Sequence, residues 1–85
     1  MEKVRILGVQ IKEREKSAKA VQDLLTEYGC IIRTRLGLHE AHDSICARSG
    51  LLILELVGSS KEWDTLLAKL SELEGVDVKT MDFDL

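Results

Sequence analysis

Residues 51–80, LLILELVGSSKEWDTLLAKLSELEGVDVKT, carry a strand, a helix and the start of another strand. Leu51 to Val57 is apolar at nearly every position. Such a run suits a central strand covered on both faces, because a half-exposed strand would alternate. Ser59 and Glu62 have the spacing of a capping box, which predicts a helix start just after Ser59. Trp63, Leu66, Leu67, Leu70 and Leu73 then recur at helical spacing and form one apolar stripe. Gly75 is placed to end that helix. VDVKTMDFDL follows as the last strand, with Val76, Val78 and Thr80 on one face.

The first half of the chain repeats this plan. Residues 3–12, KVRILGVQIK, are rich in aliphatic and β-branched residues and predict a strand. In REKSAKAVQDLLTEYG, Ala18, Val21, Leu25 and Tyr28 share a helical face with Leu24 beside them, and Lys16, Lys19, Gln22, Asp23 and Glu27 take the other. Gly29 is expected to close the helix with a left-handed residue. CIIRTRLGL alternates, placing Ile32, Thr34, Leu36 and Leu38 on one face and Arg33 and Arg35 on the other. At an offset of 45 residues, Ala18 corresponds to Trp63, Val21 to Leu66, Leu25 to Leu70 and Tyr28 to Leu73.

The order βαββαβ with two matching halves predicts an α+β, ferredoxin-like sandwich formed by a single domain over residues 1–85. Right-handed crossovers put both helices on one face of a four-stranded antiparallel sheet. The first and third strands become its centre, and both carry apolar residues on both faces. The face without helices is then apolar and open to water, which is unfavourable. A second copy of the chain is the expected cover, giving a homodimer or homotetramer through the sheet.

Composition removes several function classes. Hydrophobic residues make up 45% of the chain and charged residues 32%, so it can bury a core and is not a disordered chain. The net charge is −3, with Lys and Arg scattered and only Trp63, Tyr28 and Phe83 as aromatics. That pattern argues against direct nucleic-acid binding. No apolar run approaches the roughly 18 residues of a membrane span. MEKVRILGVQIKEREK has too short an apolar core, between mixed charges, for a signal peptide. A cytoplasmic protein is expected, with Cys30 and Cys46 as free thiols or ligands.

The chemistry-bearing residues gather between the second and third strands. His39-x-x-His42-x-x-x-Cys46 has ligands suited to Zn, Ni or another transition metal. A closed structural zinc site needs four ligands, and Cys30 lies at the far end of the preceding strand, on the order of 26 Å away. Glu40, Asp43, water or a second subunit would complete the sphere; a solvated connection is the plainer reading. Gly8 and the Lys12, Glu13 and Arg14 turn form a second candidate, for a small zwitterionic ligand, and Arg33 and Arg35 a third, for an anion. Ser44, His42 and Cys46 are close in sequence, but no orienting partner or oxyanion loop accompanies them, so an enzyme is not expected.

ILGVQI, REKSAKAVQDLLTEYG, IIRTRLGL, LEGV and VDVKT together resemble the small proteins of anaerobic bacteria assigned as iron-only hydrogenase system regulators. That family is similar to ACT domains and to the C-terminal domain of the nickel-responsive repressor. The resemblance spans essentially the whole chain and implies an ACT-like, oligomeric, regulatory domain in which the turn after the first strand often sits beside a small ligand at a subunit interface. The chain departs from the family's pattern at Thr34, His39 and Glu40 and in the length of the following connection. Together these readings predict a non-enzymatic regulatory, ligand-binding domain, with a metal-sensing module on His39, His42 and Cys46 as the alternative and a structural partner in a larger complex as the third.

Overall fold

In a β-strand, alternate side chains leave on opposite sides, so the residues of the first strand decide what each face of the sheet contains. The computed structural model describes residues 2–38 and 50–85, without the side chains of Arg14 and Leu38. Strand β1 spans Lys3–Ile11, helix α1 Arg14–Glu27, β2 Ile32–Leu38, β3 Gly50–Leu56, α2 Ser60–Ser71 and β4 Val76–Asp84. The strands form one antiparallel sheet in the order β2-β3-β1-β4. This is the expected ferredoxin-like architecture.

Leu7, Val9 and Ile11 point toward the helices and are buried, as are Leu54 and Leu56 of β3. Val21 and Leu25 from α1, and Trp63, Leu66 and Leu70 from α2, close over them. Fully burying one Leu side chain stabilises the fold by about 1.5–3 kcal/mol, so this cluster supplies most of the driving force. Trp63 also donates its indole N–H to the Val57 carbonyl at 2.9 Å, which satisfies its one polar atom inside the core.

Three local expectations are corrected. Gly29 has no positive φ; α1 ends at Tyr28 and continues into a 3-10 turn over Gly29–Ile31, so the chain turns without a left-handed residue. Ser59 is the N-cap of α2, but its side chain makes no cap bond; the Glu62 N–H that a hydroxyl cap would serve donates to the Ser59 carbonyl instead, beside the ordinary helix bond from the Trp63 N–H. The third is β2. Ile32 pairs with Leu56 and Thr34 with Glu55, so Arg33 is an extra residue in a β-bulge. From that point the alternation reverses. Arg33 and Thr34 share a face, Arg35 turns toward α1, and Leu36 turns away from the core with 51% exposure.

The end of the sheet where β1 meets α1 is tied down. The Lys12 N–H donates to the Gly75 carbonyl at 2.8 Å, and the buried Ser17 hydroxyl donates to the Glu74 carbonyl at 2.5 Å. A fourth correction falls at the predicted end of the second helix, which is not at Gly75: α2 ends at Ser71 with Glu72 as its C-cap. Gly75, at φ 73°, instead takes the left-handed position of the turn from Leu73 to Val76 that leads into β4, a conformation that only glycine adopts at little cost.

Candidate functional site

The face of the sheet opposite the helices is the most distinctive surface among the described residues. It is built of rows across the strands. Leu36, Ile53, Gly8 and Lys79 form one row, and Thr34, Glu55, Ile6 and Met81 the next. Leu51 lies beside Gln10 and Asp77 at one end, and Phe83 pairs with Val4 toward the other. Leu36, Leu51, Met81 and Phe83 are each more than a third exposed. β3 is thus covered on one face only within the chain, where its sequence predicts cover on both.

The charges on this face are largely matched within it. Arg33 reaches Glu55 at 2.6 Å and Glu2 at 3.1 Å, and Thr34 donates to Glu55 at 2.7 Å. Those contacts from Arg33 and Thr34 hold the Glu55 carboxyl below its ordinary pKa. Asp77 pairs with Lys12 at 3.5 Å. An apolar field with compensated charges suits contact with a surface of the same kind.

The residues proposed for a small ligand divide among three places. Gly8 lies in mid-strand on the open face. Lys12 and Glu13 form the turn into α1, with Glu13 paired to Lys16 at 3.3 Å; of Arg14 only the backbone position, at the start of α1, is described. Arg33 joins the open face, whereas Arg35 bonds Gln22 of α1 on the helix side. The two arginines lie on opposite faces rather than one, because of the bulge. His39, His42 and Cys46 lie outside the described residues. The connection that carries them leaves the sheet after Leu38 and returns at Gly50, which pairs with Ile11. Both ends of it are therefore at the same end of the sheet as the Lys12 turn.

One cluster has no signal in the sequence. Arg5 donates to Asp82 of β4 at 2.7 and 3.0 Å and to Asp64 of α2 at 2.8 Å, with its guanidinium 5.4 Å from the Trp63 ring. Asp82 first, then Asp64, raise the Arg5 pKa, and Arg5 in turn lowers that of Asp82. The three elements are 59 and 77 residues apart in sequence, so only the fold brings them together. With each guanidinium nitrogen bonded to a carboxylate, this is a clasp between α2, β1 and β4 rather than a vacant anion site.

No helix among the described residues is long and apolar enough to cross a membrane. No curated protein matches the sequence. An uncharacterized protein of Thermotoga maritima, TM1266, has a solved structure that superimposes with a TM-score of 0.83 at 25% identity, covering 99% of this chain and all of that one. A CPII protein of Thiomonas intermedia K12, solved with ADP, AMP and acetate, superimposes with a TM-score of 0.57 at 14% identity, over 95% of this chain and 86% of that one; this likeness is one of fold. The family model described as "TM1266-like: Iron-only hydrogenase system regulator, putative" matches residues 3–80, and the chain belongs to that family.

Proposed function

We propose that the protein is a small non-enzymatic regulatory domain that works as an oligomer, its copies meeting through the open sheet face. The observation that carries this reading is the exposed apolar field of Leu36, Leu51, Met81 and Phe83 on a sheet whose other face is sealed. A field of this kind is a recognised mark of an interaction surface. A small metabolite binds near the Lys12–Arg14 turn and shifts the balance between assembled states through its different affinity for them. The shift is read by a partner protein.

A second reading places a transition metal, nickel or zinc, on His39, His42 and Cys46. It is favoured by where the connection leaves and rejoins the sheet, beside the Lys12 turn. A metal there would bias the same assembly.

Thermal melting in the presence of a panel of amino acids, adenine nucleotides, Zn, Ni and Co tests both readings, because a ligand of the folded state raises the melting temperature. A metabolite shift lost on Lys12→Ala supports the first. A metal shift with about one metal per chain or per dimer, lost on His42→Ala, supports the second. No shift with any of them overturns ligand binding at these sites from among these compounds.

A further inference from the structure

Gly8 is unexplained by its own chain. It lies in the interior of a central strand, where glycine packs nothing. Its φ is not positive, so its backbone does not require glycine. A Cβ built there meets nothing within 4 Å, so no neighbour excludes a side chain. Glycine inside a strand often marks a place where something outside approaches closely.

Its cross-strand partner is Ile53, on the same open face. β1 and β3 are the two central strands, so the middle of the face lies between a residue with no side chain and one with a large branched one. A symmetric dimer needs each surface to complement itself, residue i meeting j and j meeting i. We infer that Gly8 and Ile53 are the hole and the knob of a two-fold contact between two copies of this chain. A two-fold axis parallel to the strands, running between β1 and β3, seats the partner's Ile53 over Gly8 and Ile53 over the partner's Gly8. Alternation of large and small residues across facing layers is how packed sheets interdigitate. The same axis brings β2 over the partner's β4.

A second copy fits this face better than a charged partner does. Arg33, Glu55, Glu2, Asp77 and Lys12 are already paired within the chain, which leaves Lys79, beside Gly8 in the same row, as the charge of this face without an ion pair among the described residues. The area also fits. Strands about 4.8 Å apart, with about 3.3 Å per residue, give the four-stranded face roughly 450 Å² in projection. Side-chain relief raises this toward the roughly 800 Å² per partner of a stable interface.

The inference rests on the oligomeric reading above, and the experiment separates the two. The dissociation constant of self-association is measured by light scattering on serial dilution for the wild type, Gly8→Ala, Gly8→Val, Ile53→Ala and the double variant Gly8→Val/Ile53→Ala, with circular dichroism to confirm folding. Gly8→Val is expected to weaken association at least tenfold and Gly8→Ala about threefold. The double variant, which moves the knob to the other strand, is expected to associate more tightly than Gly8→Val alone. A self-associating wild type whose affinity is unchanged by both Gly8 substitutions overturns this inference and leaves the oligomeric reading standing, as does a double variant no tighter than Gly8→Val. A wild type that stays monomeric at all concentrations overturns both. Gly8→Ala decides the matter if Gly8→Val does not fold.

Discussion

The two faces of this sheet are made from the same four strands, yet they differ in what each residue is for. On the helix side, Leu7, Leu54 and Leu56 are fully buried against Val21, Leu66 and Leu70, and Leu24, Leu52 and Val78 pack against this cluster. On the other side, Leu36, Met81 and Phe83 keep about half of their surface exposed. Removing apolar area from water is worth about 25 cal/mol per Å², and the helix face gains this in folding. The open face gains part of it in folding, where Val4 is buried, and the rest only if something docks. One face therefore reports on stability and the other on association, and substitutions should divide in the same way.

The largest effect should fall on the helix side. Leu66→Ala deletes a side chain with no exposed surface and should cost about 3 kcal/mol, read as a lowered urea midpoint with little change in slope. A loss of only a few tenths would mean that α2 does not seal the core. Gly75→Ala forces a side chain into a left-handed backbone and should cost about 1 kcal/mol in the same assay. Gly8→Ala, on ordinary strand backbone with open space around it, should instead stabilise the monomer by about 0.4–1 kcal/mol, because it removes freedom from the unfolded chain only. This pair of glycines sharpens the contrast between a residue required by the chain and one required by its surroundings.

The Arg5 clasp binds the helix side at its margin, and Arg5→Met should cost about 1 kcal/mol at neutral pH, because its aspartate partners are largely exposed. Its pH signature is more telling. Arg5 lowers the Asp82 carboxyl pKa in the folded chain, and unfolding returns it to the ordinary value. The stabilisation is therefore complete above about pH 4 and is lost as pH falls through the lower folded value. In Arg5→Met this acid-induced loss should shrink, measured as urea midpoints between about pH 6 and pH 3. An identical acid profile in both proteins would rule out the clasp as its source.

The smallest effect on folding should come from the open face. Leu36→Lys and Met81→Lys should each change monomer stability by less than about 0.5 kcal/mol, because both side chains already meet water. A large loss of stability in either would break the comparison between the faces.

The fold was legible because both helices carry a stripe and β1 and β3 an apolar run; these patterns survive small errors of register. Leu36 shows where legibility stopped. Period-two reading assumes one residue per step, and the bulge at Arg33 adds one without a marker such as glycine or proline. The error then propagates to Arg35 and Leu36. Likewise Ser59 and Glu62 have capping-box spacing, but spacing does not decide whether a hydroxyl or a carbonyl meets the free N–H groups. The expectation of a bare sheet face followed from topology and was readable. The Arg5 cluster was not, since its partners are brought together only by the tertiary fold. Residue type alone points to the proposed ligand residues, and the fold separates Gly8, Lys12 and Arg35 from one another. The His39, His42 and Cys46 assignment lies outside the described residues.

The most direct test of the account is the mass of the protein in solution. Sedimentation velocity of the wild type and of Leu36→Lys/Met81→Lys, over concentrations from about 1 to 100 µM, spans the range in which an interface of standard size would assemble. The wild type should sediment at twice the 9.5 kDa chain mass or more, and the folded double variant at one chain mass. A wild type at one chain mass throughout, or a double variant that matches an assembled wild type, would contradict the claim that this face is where copies meet.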